Sequence, residues 1–226
     1  MKLHFLGTGA ADWNIADKDK EEFRFFSSSL IDGDLLIDPG PHIFLSSEKY
    51  GIDLSNVKYV INTHRHEDHY CQESLDKLVE NGAEFIDLTA GEVECFGDYR
   101  VAAYKANHAT CEGSIHFIIE KAGKRLFYGL DSAWLMYDEV AAIKENGGVD
   151  AAVLDATIGN VMGDFRIFEH NSLDMIRIMK ASLKDYIKKF IISHMAYTLH
   201  DKHSVLAEEM AKEDIITAFD NFIIEI

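Results

Sequence analysis

Short apolar runs broken by glycine turns fill the first half of the chain, and amphipathic stretches alternate with them in the second. KLHFL at residues 2–6 reads as a strand that runs into a glycine turn, GTG. Residues 12–26 are polar and charged with aromatics at their end, and read as an insertion loop whose Phe23, Phe25 and Phe26 are expected in the core. SSSLIDGDLLIDPG predicts two strands joined by a hairpin turn at Asp32-Gly33-Asp34. HIFLSSEKYG predicts a short helix stopped at Gly51. VKYVIN, residues 57–62, is the β-branched and aromatic run of a buried strand, and it delivers the chain into THRHEDHY.

CQESLDKLVENG predicts a helix closed by Gly82. AEFIDL, YRVAAYKA, SIHFIIE and RLFYGLD follow as strands, with KAGK as a hairpin turn. LMYDEVAAIKENGG predicts a helix with a glycine stop, and VDAAVLDA a buried strand. NSLDMIRIMKASLKD is amphipathic, with Leu173, Ile176, Met179 and Leu183 on one helical face. FIISH is a strand running into a histidine, and a helix is expected over 201–213. The apolar strand NFIIEI at the end needs a partner strand, which leaves a homodimer open. Together these elements predict an α/β architecture with helices on both faces of β-layers. The only prolines, Pro39 and Pro41, share the turn DPGP, and no linker or repeat divides the chain. Residues 1–226 therefore read as a single domain.

Charge narrows the partners. Lys+Arg total 22 against 39 Asp+Glu, a formal net charge of −17. Most of such a surface repels the phosphate backbone, so nucleic acid is not an expected partner. A local cationic centre, such as a bound metal pair, would still capture a small anionic molecule. No stretch approaches the ~20 apolar residues of a membrane span. MKLHFLGTGAADW makes a poor signal peptide, and Cys71, Cys95 and Cys111 are too few for a disulfide framework, so a cytoplasmic location is expected. The cysteines are expected to pack as small hydrophobes, Cys71 nearest the chemistry.

The chain has 11 histidines, and their placement carries the chemistry. His64-x-His66-x-Asp68-His69 follows a predicted buried strand. An extended chain points His64 and His66 to one side, while Asp68 and His69 come after a turn and can face a second point. A solvated polar loop would account for HRHEDH alone. It would not account for three further strand ends that finish in His108, Asp131 and His194. A structural zinc needs four protein ligands. Seven candidates around two ions leave room for water, as hydrolysis requires. GTGAAD is only half a dinucleotide-binding fingerprint, since Asp12 stands at the third glycine position, and no P-loop or G-x-S-x-G occurs.

THRHEDH, the later His, Asp and His in that order, and the openings FLGTGAADW and SSSLIDGDLLIDPG together resemble the metallo-β-lactamase superfamily. The resemblance implies a four-layer αββα sandwich with the site at one edge of its sheets. It implies a first metal on His64, His66 and His108, a second on Asp68, His69 and His194, and Asp131 bridging both. Zinc foremost, with manganese or iron also suited, would be the two divalent metal ions. His170, between Asp131 and His194 at an expected helix start, resembles the extra histidine of the phosphodiesterase branch. That branch includes tRNA 3′-processing endonucleases and PhnP-type cyclic phosphodiesterases. There the residue contacts phosphate and protonates the leaving oxygen. This chain has neither a CxxC motif nor a basic glycine-rich arm. The expectation is therefore a hydrolase of a small anionic or cyclic phosphodiester, with a metal-bridging hydroxide as nucleophile and His170, Asp68 and Asp131 as its catalytic residues. An acyl hydrolase of lactones or thioesters, and a metal-binding sensor without turnover, are the alternatives. Asp155 and Asp38, at strand ends, are candidates to hold ligand imidazoles. His4, His42, His116, His200 and His203 read as structural or surface residues, with His200 placed to fold over the site.

Overall fold

The computed structural model describes residues 1–226. Its strands are β1 (Lys2–Gly7), β2 (Ser28–Ile31), β3 (Leu35–Ile37), β4 (Tyr59–Ile61), β5 (Glu84–Phe85), β6 (Val93–Phe96), β7 (Tyr99–Lys105), β8 (Ile115–Lys121), β9 (Lys124–Gly129), β10 (Ala151–Asp155), β11 (Phe190–Ser193), β12 (Ile215–Thr217) and β13 (Ile223–Glu225). The helices are α1 (Ile43–Tyr50), α2 (Gln72–Glu80), α3 (Tyr137–Lys144), α4 (Leu173–Leu183) and α5 (His203–Ala211). Two sheets form, in the orders β13-β1-β2-β3-β4-β5 and β12-β11-β10-β9-β8-β7-β6.

The period-2 pattern of the strands sorts the core into layers. Leu3, Phe5, Ile31 and Ile37 of the first sheet meet Phe117, Ile119, Tyr128, Val153 and Ile191 of the second. The intervening residues turn outward. Ile118, Phe127, Leu154 and Ile192 pack under α3, α4 and α5. Leu6, Leu30, Leu36 and Val60 pack under α1 and α2. This is the expected αββα order. Strands β9 to β12 run parallel and their central members are buried on both faces, which is why they read as continuous apolar runs. The four apolar residues expected on one face of α4 are all buried, and Ser172 caps that helix by accepting from the Met175 amide at 3.3 Å.

Several expectations need correction. β6 and β12 were not anticipated: each is short, and only Phe96 of β6 is buried. Cys95 on β6 is accordingly exposed and does not pack as a hydrophobe, while Cys71 and Cys111 are half-buried. The terminal strand finds its partner within the chain, pairing antiparallel with β1, so it makes no demand for a second copy. Phe23 and Phe25 enter the core, whereas Phe26 is half-buried and stacks on His42 with ring centroids 4.0 Å apart. No helix is long and apolar enough to cross a membrane.

The sheets are stitched together near the carboxyl ends of their strands. Met195 donates its amide to Thr8 O at 2.9 Å, and Ala10 returns one to Met195 O at 3.1 Å. On the other side, Ile115 N donates to Thr63 O at 2.9 Å. Phe117 is fully buried between the sheets. Replacing it, Phe117→Ala, is expected to remove about 3–5 kcal/mol of stability, read as a lower urea midpoint at unchanged slope.

Candidate metal centre

Six strand ends deliver the functional side chains to one seam. β3 leads to Asp38, β4 to Thr63 and His64, β7 to His108, β9 to Asp131, β10 to Asp155 and β11 to His194. Three of these residues leave their strands with left-handed backbones: Asp38 at φ 62°, Asp131 at 55° and His194 at 62°. Non-glycine residues hold that conformation only where their surroundings impose it, and the reversal aims each side chain into the seam. The HRHEDH loop lies against the DPGP turn so closely that a Cβ on Gly40 would stand 2.6 Å from Asp68 O. Only glycine lets the two segments meet.

All seven residues singled out in the sequence converge, in two groups that share one member. His64, His66, His108 and Asp131 form the first, and Asp68, His69, Asp131 and His194 the second. Asp131 Oδ2 faces the first group, 3.5 Å from His64 Nε2 and 3.8 Å from His108 Nε2. Its Oδ1 faces the second, 3.0 Å from His194 Nε2 and 3.2 Å from His69 Nε2. Inner ring nitrogens approach one another: His66 Nδ1 and His108 Nε2 at 3.0 Å, His69 Nε2 and His194 Nε2 at 3.0 Å. The buried atoms His64 Nε2 and Asp131 Oδ1 have no hydrogen-bond partner. Donor atoms converging on shared points, with two of them orphaned, form clusters able to bind metal.

The outer nitrogens of His64, His69, His108 and His194 are engaged by the protein. His69 Nδ1 donates to Asp38 Oδ2 at 2.9 Å, and Asp38 is fixed in turn by Thr63 N at 2.7 Å and Asn62 Nδ2 at 2.9 Å. His64 Nδ1 donates to Thr63 Oγ1 at 3.0 Å, His194 Nδ1 to Thr157 Oγ1 at 2.7 Å, and His108 Nδ1 to Glu169 O at 3.3 Å. Such bonds set the tautomer that leaves the inner lone pair free. Asp38 therefore lies where the sequence placed it, against a ligand-type imidazole. Asp155 does not: its Oδ2 accepts from His170 Nδ1 at 2.7 Å and from Ser132 N at 3.2 Å, and its Oδ1 from Thr157 N at 2.7 Å. A third group of Asp131, Asp155, His170 and His194 also lies within reach of one ion. The three donors on Asp155 already engage both its oxygens.

His170 sits in the loop that leads into α4, just ahead of the Ser172 cap, at the helix start where the sequence placed it. Thr157 Oγ1 touches both its Nδ1, at 3.1 Å, and His194. His200 does not cover the site: its Nε2 donates to Ala156 O at 2.6 Å and braces the β10 end from behind. His116, read as structural, is a buried strut. It bonds Glu139 through Nδ1 and donates from Nε2 to Leu130 O at 2.9 Å, next to Asp131. Thr63, Thr157, Glu139 and Arg166 were missed. Their types carry no chemical signature, and only adjacency to HRHEDH or to Asp155 pointed at the two threonines.

Electrostatics divides the groups. Burial holds His64 and His108 neutral, pushing His108 down to about 4 despite Asp131. Burial also opposes charge on His194, but Asp131 and Asp68 override it and raise its pKa to about 10. His69 is raised likewise against its burial, by Asp131 and Asp68. Burial would raise Asp131, yet the His194 and His69 charges hold it well below the carboxylate range. Protonated imidazole in the second group thus balances the carboxylates when no cation does.

The family model described as the metallo-beta-lactamase superfamily matches residues 25–72, which include HRHEDH. No curated protein sequence matches the chain. Among solved structures, zinc-bound PqqB from Methylobacterium extorquens superposes with a TM-score of 0.75 at 18% identity, covering 100% of both chains. A diphosphatase of the PhnP family gives 0.72 at 17% identity, over 100% of this chain and 97% of that one. Human tRNase Z, short form, gives 0.70 at 16% identity, over 100% and 99%. At these identities the likeness is one of fold.

The charge balance predicts a pH dependence. His194 holds its proton up to about pH 10 when folded but only to about 6.5 when unfolded. This contribution is complete below about 6.5 and is lost as pH rises through about 10. Thermal melts of EDTA-treated protein are expected to show falling stability across that window, a fall that zinc-loaded protein lacks. A metal-free curve that rises there would contradict the assignment.

Proposed function

We propose that the chain is a member of the metallo-β-lactamase superfamily and a dinuclear-metal phosphodiesterase acting on a small anionic substrate. The observation that carries this reading is the joining of two four-residue groups through Asp131, with His170 at the edge of both. His64, His66 and His108 would hold one ion, Asp68, His69 and His194 the other, and Asp131 both. The orphaned His64 Nε2 and Asp131 Oδ1 fit this role, since each lacks a partner that an ion would supply. Two divalent ions so held supply an activated water and neutralise charge in the transition state. Nitrogen and oxygen donors suit zinc, and the likeness to a zinc-bound neighbour supports that choice.

The remaining chemistry belongs to the side chains. A cavity of about 180 Å³ opens between His66, Asp68, Asp131, His170 and His194. Asp155 occupies Nδ1 of His170, so Nε2 is the nitrogen left to face a substrate. Burial opposes charge on His170, but the Asp155 carboxylate overrides it and raises the pKa, which keeps a proton on the ring. His170 is thereby fitted to protonate a leaving oxygen. Thr157, touching His170 and His194 together, keeps the acid in register with the second group. Two structural neighbours are named a diphosphatase and a tRNase Z, which supports phosphate chemistry. The net charge of −17 disfavours a polynucleotide and favours a small substrate.

Protein loaded with zinc or manganese is expected to hydrolyse bis(4-nitrophenyl) phosphate, and Asp131→Ala to abolish turnover. His170→Ala is expected to keep its metal and lose roughly 10²–10⁴-fold in kcat. Protein that holds two ions yet turns over no phosphodiester would overturn the proposal and point to lactones and thioesters.

A further inference from the structure

We propose that Arg166 selects substrates carrying a second anionic group, phosphate or carboxylate, on the leaving-group side of the phosphodiester. This rests on the phosphodiesterase reading and adds the substrate class to it. At about 180 Å³ the cavity is smaller than the roughly 300–1,000 Å³ of a typical ligand pocket, so it encloses a head group and little more. Discrimination then falls to the charged residues on its wall.

Apart from the metal-type residues and His170, three wall residues carry charge: Asp12, Arg166 and Glu169. The two carboxylates are engaged elsewhere. Asp12 accepts from Tyr197 N at 2.7 Å and from Thr198 N and Oγ1 at 3.0 and 2.8 Å. Glu169 Oε2 accepts from Thr110 Oγ1 at 2.8 Å. Arg166 is aimed but not exhausted. Its Nε and Nη2 donate to Asp164 at 2.9 and 2.7 Å, while Nη1 has no partner in the protein. Asp164 also accepts from Arg166 N at 2.9 Å, capping the 3-10 turn Phe165–Phe168, so one carboxylate fixes both backbone and guanidinium. An immobilised fork loses little entropy on taking an oxyanion.

The backbone links this arginine to the proposed acid. Arg166 O accepts from the amides of Glu169 and His170, both at 2.8 Å. Arg166 and His170 thus sit on one turn and face one cavity. An anion on Nη1 lies beside the group that His170 protonates.

The test titrates zinc-loaded wild type, Arg166→Ala and Arg166→Lys with three probes by calorimetry, zinc content being checked afterwards. Methyl phosphate has one anionic group, 2-phosphoglycolate adds a carboxylate, and ethylene glycol bisphosphate adds a phosphate. Wild type is expected to bind at least one two-anion probe roughly ten- to hundredfold tighter than methyl phosphate. Which probe gains identifies the second group. Arg166→Ala should erase that preference with methyl phosphate affinity unchanged, and Arg166→Lys should keep part of it. Absence of any preference in wild type, or equal weakening of all three probes by Arg166→Ala, would overturn the inference. Failure of the phosphodiesterase reading is separate: it shows as no turnover of bis(4-nitrophenyl) phosphate, whatever the binding pattern.

Discussion

The carboxylate of Asp131 is buried where the two sheets meet, between two sets of imidazoles, and everything around it answers to that charge. A carboxylate taken out of water is costly unless a cation or a full set of donors compensates it. Here one oxygen has no hydrogen-bond donor. The compensation is left to charge brought to the inner face, protons on His69 and His194 or a metal ion in their place. The clusters' ability to bind metal follows from this arrangement.

Rigidity comes from where these residues sit. The metal-type side chains of the second sheet start within a few residues of a strand held in a ladder, so their backbones cannot drift. The left-handed turns at Asp38, Asp131 and His194 are then tolerated because hydrogen bonds on both sides over-determine them. Behind Asp131, Glu139 accepts from the Met136 amide at 2.6 Å and bonds His116, which reaches Leu130 O. That buried strut joins the start of α3 to the end of β9. A site supported in this way is organised before any ligand arrives.

Charge is distributed unevenly. The surface is strongly acidic overall, yet the cavity wall presents an arginine whose Nη1 is left free by its Asp164 partner, while Asp12 and Glu169 on the same wall are spent on backbone amides and hydroxyls. Long-range repulsion of large polyanions and short-range attraction of a small one are compatible, because salt screens the first over about 8–10 Å while the second acts at contact.

Much was legible in the sequence. Within HRHEDH, alternation in an extended chain followed by a turn sends neighbouring residues to two points, a local effect that needs no tertiary information. Apolar runs that end in His, Asp or His mark His108, Asp131 and His194 in the same way, and period-2 patterning foretells layered sheets. What only the tertiary structure decided is which partner each of these residues meets. Asp38 reaches His69 across 31 residues, and Thr157 reaches His194 across 37. Asp155 takes His170 and not a ligand-type imidazole, and Arg166 enters the cavity wall from a short turn whose apolar residues stay exposed and so mark no core element. β6 and β12 exist because a neighbouring strand offers them a ladder. Local spacing determines where a side chain leaves the backbone. The packing of two sheets determines what it faces, because those contacts join segments far apart in the chain that share no local pattern.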